Sequence, residues 1–281
     1  MAIRIDGKAI SAQIKEEVKE RVAAYKNEGI EVTLAVIQVG NDPASTVYVG
    51  NKKKACEYVG IRSLAYELPQ ETTQEELLKL IHELNDRKDV NGILVQLPLP
   101  KHFNEEEILL AISPLKDVDG FHPVSVGNLS IGRKGFVSCT PAGVIELLKR
   151  TGIEIEGKEC VVLGRSNIVG KPMAMLMLRE NATVTVCHSR TKNLKEITKR
   201  ADILIVAIGK PRFVTGDYIK EGAAVIDVGI HRNENNKLCG DVLFEEAEAV
   251  AGAITPVPGG VGPMTIAMLM KNCADSVELQ R

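Results

Sequence analysis

Val161-Val-Leu-Gly-Arg-Ser-Asn-Ile-Val-Gly-Lys-Pro172 passes from an apolar run into a glycine-bearing turn and then into a helical pattern. Strand, tight turn and helix in that order form a unit in which the free N–H groups of a helix start can hold a pyrophosphate. The stretch departs from the spacing G-x-G-x-x-G. Gly164 fits the first glycine, Ser166 stands at the second, and Val169 precedes Gly170 at the third. Taken alone, it reads equally as a plain βα turn.

The end of the next apolar run bears on that choice. Strand Thr183–Cys187 leads into His188-Ser-Arg-Thr191, where an NAD site carries an acidic residue for the ribose hydroxyls. A carboxylate there would repel a 2′-phosphate, whereas hydroxyls and a guanidinium bind one. Arg165, Ser189 and Arg190 therefore point to NADP, against the alternative that both arginines are only solvated. Ala207-Ile-Gly-Lys-Pro211 and Asp227-Val-Gly-Ile230 end two further strands, on the side of a parallel sheet where ligands lie. Gly209 and Gly229 either admit a cofactor to close approach or make tight turns.

Working outward, a helix is predicted from Thr140 to about Arg150, then strand Glu159–Leu163, helix Lys171–Arg179, and strands Asp202–Ala207 and Ala223–Val228. An earlier series precedes it. A short N-terminal strand is followed by a helix from about Gly7 to Glu28, strand Thr33–Val39 and a helix from near Ser45 to Gly60. Strand Arg62–Leu68, helix Thr73–Asn85 with the capping pair Thr73 and Glu76, and strand Gly92–Leu97 complete it. Strands apolar throughout, alternating with helices, imply α/β architecture with parallel sheets covered on both faces. Two domains are expected, 1–120 and 121–263. The run Thr255–Pro263 is too rich in Pro and Gly for regular structure, and a helix over 264–281 is expected to pack back on the first domain.

The bulk properties exclude several classes. The chain has 281 residues, 44% hydrophobic and 26% charged, with a net charge of -2. That balance offers no field for nucleic acid or an anionic membrane surface. No apolar run approaches ~18 residues, so no membrane span is expected, and the N-terminus lacks a signal core. The six cysteines, Cys56, Cys139, Cys160, Cys187, Cys239 and Cys273, form no CxxC pair and no zinc-spaced cluster. No metal is expected, and free thiols suit a reducing cytosol.

In Val47-Tyr-Val-Gly-Asn-Lys-Lys-Lys-Ala-Cys56, helical spacing puts Tyr48, Lys52, Ala55, Cys56 and Val59 on one stripe, apolar except for Lys52. Lys53 and Lys54 turn away by about 100° and 200°. A lysine in a poorly hydrated cleft is disfavoured as a cation and can exchange protons near neutrality. The competing reading is a stem that snorkels to the core's edge. Gly50, in mid-helix, suggests that something passes close by. Gln96 interrupts an apolar strand where its amide could orient a lysine. Asp119 could accept two N–H bonds from an amino-heterocycle or serve only as a turn residue.

Six motifs carry a resemblance over essentially the whole chain. They are Val39-Gly-Asn-Asp-Pro-Ala-Ser45, Tyr48-Val-x-x-Lys52-x-Lys54, Val95-Gln-Leu-Pro-Leu-Pro100, Lys116-Asp-Val-Asp-Gly-Phe-His122, Gly164-Arg-Ser-x-Ile-Val-Gly-x-Pro172 and Thr255-Pro-Val-Pro-Gly-Gly-Val-Gly-Pro-Met-Thr265. With these the chain resembles the bifunctional methylenetetrahydrofolate dehydrogenase/methenyltetrahydrofolate cyclohydrolase family, in its compact bacterial form. The resemblance implies a folate-binding catalytic domain and a Rossmann-like NADP domain. It implies NADP-dependent oxidation of methylenetetrahydrofolate and hydrolysis of the methenyl product to formyltetrahydrofolate. It matches Tyr48 to the residue stacked on the folate, Lys52 to the acid/base group, Gln96 to its partner and Asp119 to the pterin-gripping carboxylate. Gly164, Arg165, Ser166, Ser189 and Ile230 match the cofactor site. A cytoplasmic homodimer binding tetrahydrofolate derivatives is implied. Two alternatives are a shikimate-type NADP dehydrogenase, which has no need of Tyr48, and a non-catalytic NADP-sensing module, which leaves Lys52, Gln96 and Asp119 unexplained.

Overall fold

The computed structural model describes residues 2–281, Ala44 by its backbone only. In chain order the first elements are β1 (Ile3–Arg4), α1 (Gly7–Asn27), β2 (Thr33–Val39), α2 (Pro43–Val59), β3 (Arg62–Leu68), α3 (Gln74–Asp86), β4 (Gly92–Val95), α4 (Glu105–Ala111) and α5 (Pro123–Ser130). Then come α6 (Cys139–Arg150), β5 (Glu159–Leu163), α7 (Gly170–Arg179), β6 (Thr183–Cys187), α8 (Leu194–Thr198) and β7 (Ile203–Val206). A 3-10 turn at Gly216–Tyr218 precedes β8 (Ala224–Asp227), β9 (His231–Arg232), β10 (Leu238–Cys239), α9 (Phe244–Val250), β11 (Ala253–Ile254) and α10 (Val261–Gln280). The chain forms two bodies. One comprises the residues up to Ser11 with Ser138–Thr265, and the other Ala12–Val137 with Ile266–Arg281.

The body of Ala12–Val137 is built on a parallel sheet in the order β3-β2-β4. Every residue of β2 is buried, as a central strand covered on both faces requires. One face packs Ala35, Ile37, Ile93 and Val95 against Leu77, Ile81 and Leu84 of α3. That helix begins with the expected capping box. The Thr73 hydroxyl accepts from the Glu76 N–H, and the Glu76 carboxylate accepts from the Thr73 N–H. Helix α2 starts two residues ahead of Ser45, because Asp42 caps it by accepting from the Ser45 N–H and Pro43 suits its first turn. It ends at Gly60, whose φ of 82° is left-handed. The carboxyl-terminal part of α10 belongs to this body. Asn272 Nδ2 donates to the carbonyls of Val118 (2.8 Å) and Val137 (2.9 Å), and Asp275 pairs with Arg21 at 2.7 Å.

The other body holds a six-stranded parallel sheet in the order β1-β11-β8-β7-β5-β6. Its core gathers Val161, Leu163, Leu204, Val206, Val225 and Ile254. The two-residue strand β1 joins this sheet beside β11. Helix α10 begins at Val261, inside the Pro/Gly run expected to be irregular. Pro263 is tolerated there because a first-turn residue needs no N–H donor. No helix among the described residues is long and apolar enough to cross a membrane.

Candidate functional site

In the three-stranded sheet β3 and β4 flank β2, so the connections leaving adjacent strands diverge and open a crevice at their carboxyl ends. Helix α2 leaves β2 at that end, and Gln96 follows β4 there. Gln96 lies just past the strand, its N–H donating to the Ile37 carbonyl at 2.8 Å. Its side chain donates through Nε2 to the Leu97 carbonyl at 2.6 Å, which turns Oε1 the other way. Lys52 Nζ donates to that Oε1 at 3.0 Å. Tyr48, four residues before Lys52 on α2, is 39% exposed, while Ala55, Cys56 and Val59 below it are buried. The expected stripe is thus present, with its aromatic end free.

Lys53 pairs with Glu67 of β3 at 2.7 Å, and Lys54 is exposed. A Cβ built at Gly50 would meet no other segment of the described residues within 4 Å, so none of them accounts for a glycine there. Asp119 is partly buried and accepts no hydrogen bond from the described residues. Burial raises its carboxyl above the usual carboxylate range, and the Lys52 charge pulls it the other way. Its neighbours are firmly tied. Lys116 Nζ donates to the carbonyls of Leu84, Asn85 and Arg87 at 3.0, 2.7 and 2.6 Å, closing the end of α3. Asp117 accepts from the His122 N–H (2.8 Å) and the Ser125 hydroxyl (3.1 Å). Asp119 thus stands on a fixed turn with both oxygens available.

The second site lies in the six-stranded sheet. Its order reverses between β5 and β7, since β5 is followed by β6 on one side and β7 on the other. A cavity of about 280 Å³ opens at that point. Among its lining residues Leu163, Gly164, Arg165 and Ser166 follow β5, His188 and Ser189 follow β6, and Ala207, Ile208 and Lys210 follow β7. No acidic residue lines it. Arg165 and Arg190 are exposed and form no ion pair among the described residues. Arg190 and Ile230 are not among the lining residues of this cavity.

Gly164 has a φ of 128°, and a Cβ there would stand 2.1 Å from the Ala207 carbonyl oxygen. A Cβ at Gly170 would stand 2.4 Å from the Gly164 oxygen. These two positions do what the first and third glycines of the fingerprint do, a tight turn and close packing of helix on strand. Ser166 fills the place of the second with its hydroxyl, accepting from the N–H groups of Val169 (3.2 Å) and Gly170 (3.3 Å). Such a cradle with a cationic, acid-free mouth fits a dinucleotide. Gly229 has another use, because a Cβ there would collide with Asp241 at 2.5 Å. The sequence reading did not single out Leu194 and Phe213, which also line the cavity. Neither has a local signal beyond an apolar residue near a turn.

A larger cavity of about 430 Å³ lies at the amino ends of the same sheet. Of its charged groups, Lys158 pairs with Glu154 and Lys220 with Asp202. It is at the wrong end of a parallel sheet for a dinucleotide.

Two family models match the chain. The tetrahydrofolate dehydrogenase/cyclohydrolase catalytic domain matches residues 5–119, and the NAD(P)-binding domain of the same family matches residues 138–281. The bifunctional protein FolD of Lachnoclostridium phytofermentans is 74% identical over 273 residues, 97% of each chain. The crystal structure of the bifunctional FolD enzyme, a methylenetetrahydrofolate dehydrogenase/cyclohydrolase, from Campylobacter jejuni superposes with a TM-score of 0.98 at 53% identity and covers 100% of both chains. The methylenetetrahydrofolate dehydrogenase-cyclohydrolase of Trypanosoma brucei, solved with NADP and an inhibitor, gives a TM-score of 0.93 at 42% identity, covering 99% of this chain and 97% of that one.

Proposed function

The chain belongs to the tetrahydrofolate dehydrogenase/cyclohydrolase family, and from that premise we propose that Lys52, held by Gln96, is the acid/base group of its cyclohydrolase step. The observation that carries this reading is the 3.0 Å bond from Lys52 Nζ to Gln96 Oε1. It holds the amine at the carboxyl end of β4, on the same body as the free carboxyl of Asp119.

In this reading Asp119 accepts N–H groups of the pterin, a pair of charge-assisted bonds that fixes the ring's orientation. Tyr48 stacks on the ring with its exposed face. Bound NADP⁺ would supply the acceptor for the hydride that leaves the one-carbon bridge of methylenetetrahydrofolate. The residues around the bridge need supply only position and exclusion of water at that step.

Hydrolysis asks more of them. As water adds to the methenyl carbon, the Lys52 amine takes one proton from it. The resulting ammonium returns that proton to the ring nitrogen as the carbon–nitrogen bond breaks. The hydroxyl proton passes to solvent as the formyl carbonyl forms. Gln96 Oε1 keeps the amine aimed in both halves of this exchange.

For the cofactor we assign Gly164, Arg165, Ser166, Ser189, Arg190 and Ile230. Arg165, Ser189 and Arg190 read the 2′-phosphate, which makes the cofactor NADP. The unpaired guanidiniums and the acid-free cavity support this choice. We assign folate to 1–120 with the helix 264–281 and the dinucleotide to 121–263, although residues 121–137 group with the folate body and the residues up to Ser11 with the dinucleotide body. We assign the working form as a cytoplasmic homodimer, on the family's pattern. A shikimate-type reaction would leave the Tyr48 stripe without a use. Incubation with methylenetetrahydrofolate and NADP⁺ tests the reading: NADPH appears and formyltetrahydrofolate follows. Absence of NADPH with folded protein would refute it.

A further inference from the structure

Beneath the loop after β7 lies a carboxylate that the reaction does not use. Asp241 is fully buried. Its Oδ2 accepts the N–H groups of Ile208 (2.7 Å) and Gly209 (3.0 Å). Its Oδ1 accepts the N–H of Lys210 (2.8 Å) and Nε2–H of His231 (2.7 Å). Three successive backbone N–H groups converging on one anion make the concave site that in other loops takes a phosphate. Here an internal side chain fills it. The loop's N–H groups therefore face the protein interior, and Ala207, Ile208 and Lys210 are left to line the cofactor cavity.

The same carboxylate reaches a second segment. His231 follows Ile230, which is 46% exposed and assigned to the cofactor above. One side chain thus ties the loop after β7 to the start of β9. Its own backbone is fixed from below. Asp227, buried at the end of β8, accepts the Asp241 N–H (2.9 Å) and Gly229 N–H (3.0 Å) on Oδ1 and the Val242 N–H (3.0 Å) on Oδ2. This close packing requires Gly240, where a Cβ would fall 1.8 Å from Asp227 Oδ2.

We propose that Asp241 is a positioning residue for the dinucleotide, setting the placement of the 207–210 loop and of Ile230 without itself touching the cofactor. The proposal rests on the cofactor reading above. Replacement by Asn is a sharp probe, because each oxygen of Asp241 accepts two donors. In the Oδ2 place the amide nitrogen faces the N–H groups of Ile208 and Gly209, and in the Oδ1 place it faces the Lys210 N–H, while the His231 ring can change tautomer and accept. The defect should fall on the cofactor and spare hydrolysis, which needs no cofactor and uses residues of the other body.

The experiment measures NADP⁺ dissociation constants by titration calorimetry and, separately, hydrolysis of added methenyltetrahydrofolate without cofactor. Wild type, Asp241→Asn and His231→Ala are compared. Asp241→Asn should weaken NADP⁺ by about ten-fold or more and change hydrolysis by less than about two-fold. Wild-type affinity in that variant overturns the proposal. So does an equal loss of binding and hydrolysis, which marks general destabilisation. If Asp241→Asn does not fold, His231→Ala decides, since it removes one tie and leaves the carboxylate in its nest. It should weaken NADP⁺ by roughly three-fold with hydrolysis intact, and an unchanged constant overturns the proposal. A wild-type protein that does not bind NADP⁺ instead sinks the cofactor reading itself, and this proposal with it.

Discussion

Lys52 Nζ and Gln96 Oε1 stand 3.0 Å apart, joining the middle of α2 to the residue that follows β4. The Gln96 amide is oriented by its second bond, to Leu97. Replacing Gln96 by Met removes the acceptor while roughly keeping the volume. Methenyl hydrolysis should then fall by about 10- to 100-fold, because an amine free to change rotamer is seldom aimed at the reacting water. Steady-state decay of methenyltetrahydrofolate measures this. Hydrolysis at the wild-type rate would mean that Gln96 does not orient the lysine.

Asp119→Asn keeps the shape of the side chain and turns one acceptor into a donor facing pterin N–H groups. Folate KM should rise by about ten-fold or more in both reactions, while NADP⁺ binding to the free enzyme is unchanged. If folate KM does not move, Asp119 is a turn residue only.

Arg165→Ala should raise the KM for NADP⁺ by about ten-fold and that for NAD⁺ much less, since only the former carries the 2′-phosphate. Paired dehydrogenase assays with the two cofactors give the ratio. Equal changes would assign Arg165 to the shared pyrophosphate or to solvent.

Much of this arrangement is legible in the sequence, and the reasons differ by element. Strands β2 and β3 match their expected limits because seven apolar or alternating residues stand between clear stops. Helix α3 carries its own capping box, so its start was local information. The Lys52 stripe followed from helical periodicity alone. Helices α4, α5, α8 and α9 escaped notice because they have only five to eight residues, too few to show a period. Helix α4 did carry a signal, Asn104 as cap with three glutamates after it. The pairing of β1 with β11 joins residues at opposite ends of the chain, and no local pattern encodes it. Asp241 was invisible for a related reason. Its partners lie ten to 33 residues away, and its buried state depends on the complete sheet.

The cysteines give a test that is independent of the ligands. Cys56, Cys139, Cys160, Cys187 and Cys273 are buried and Cys239 is partly exposed. Burial pushes the thiols of Cys56 and Cys160 up to about 12 and raises that of Cys187. Raising a thiol's pKa reduces the thiolate present at a given pH, and the thiolate is the nucleophile. In the native protein a thiol reagent at mildly alkaline pH should label Cys239 and leave the others, and denaturant should release all six. Mass spectrometry of the labelled peptides checks this. Rapid native labelling of Cys56 would contradict the packing of α2.

The central claim is that Lys52 moves the protons of hydrolysis while the dehydrogenase step needs it mainly for geometry. The direct measurement is the decay of added methenyltetrahydrofolate by purified, folded Lys52→Met, beside NADPH formation by the same sample. Lys53→Met, which breaks only a surface pair with Glu67, serves as comparison. The account predicts hydrolysis reduced by ~100-fold or more in Lys52→Met, with some dehydrogenase activity surviving and Lys53→Met close to wild type in both assays. Hydrolysis by Lys52→Met at the wild-type rate would contradict it and leave Lys52 a snorkelling side chain at the edge of the core.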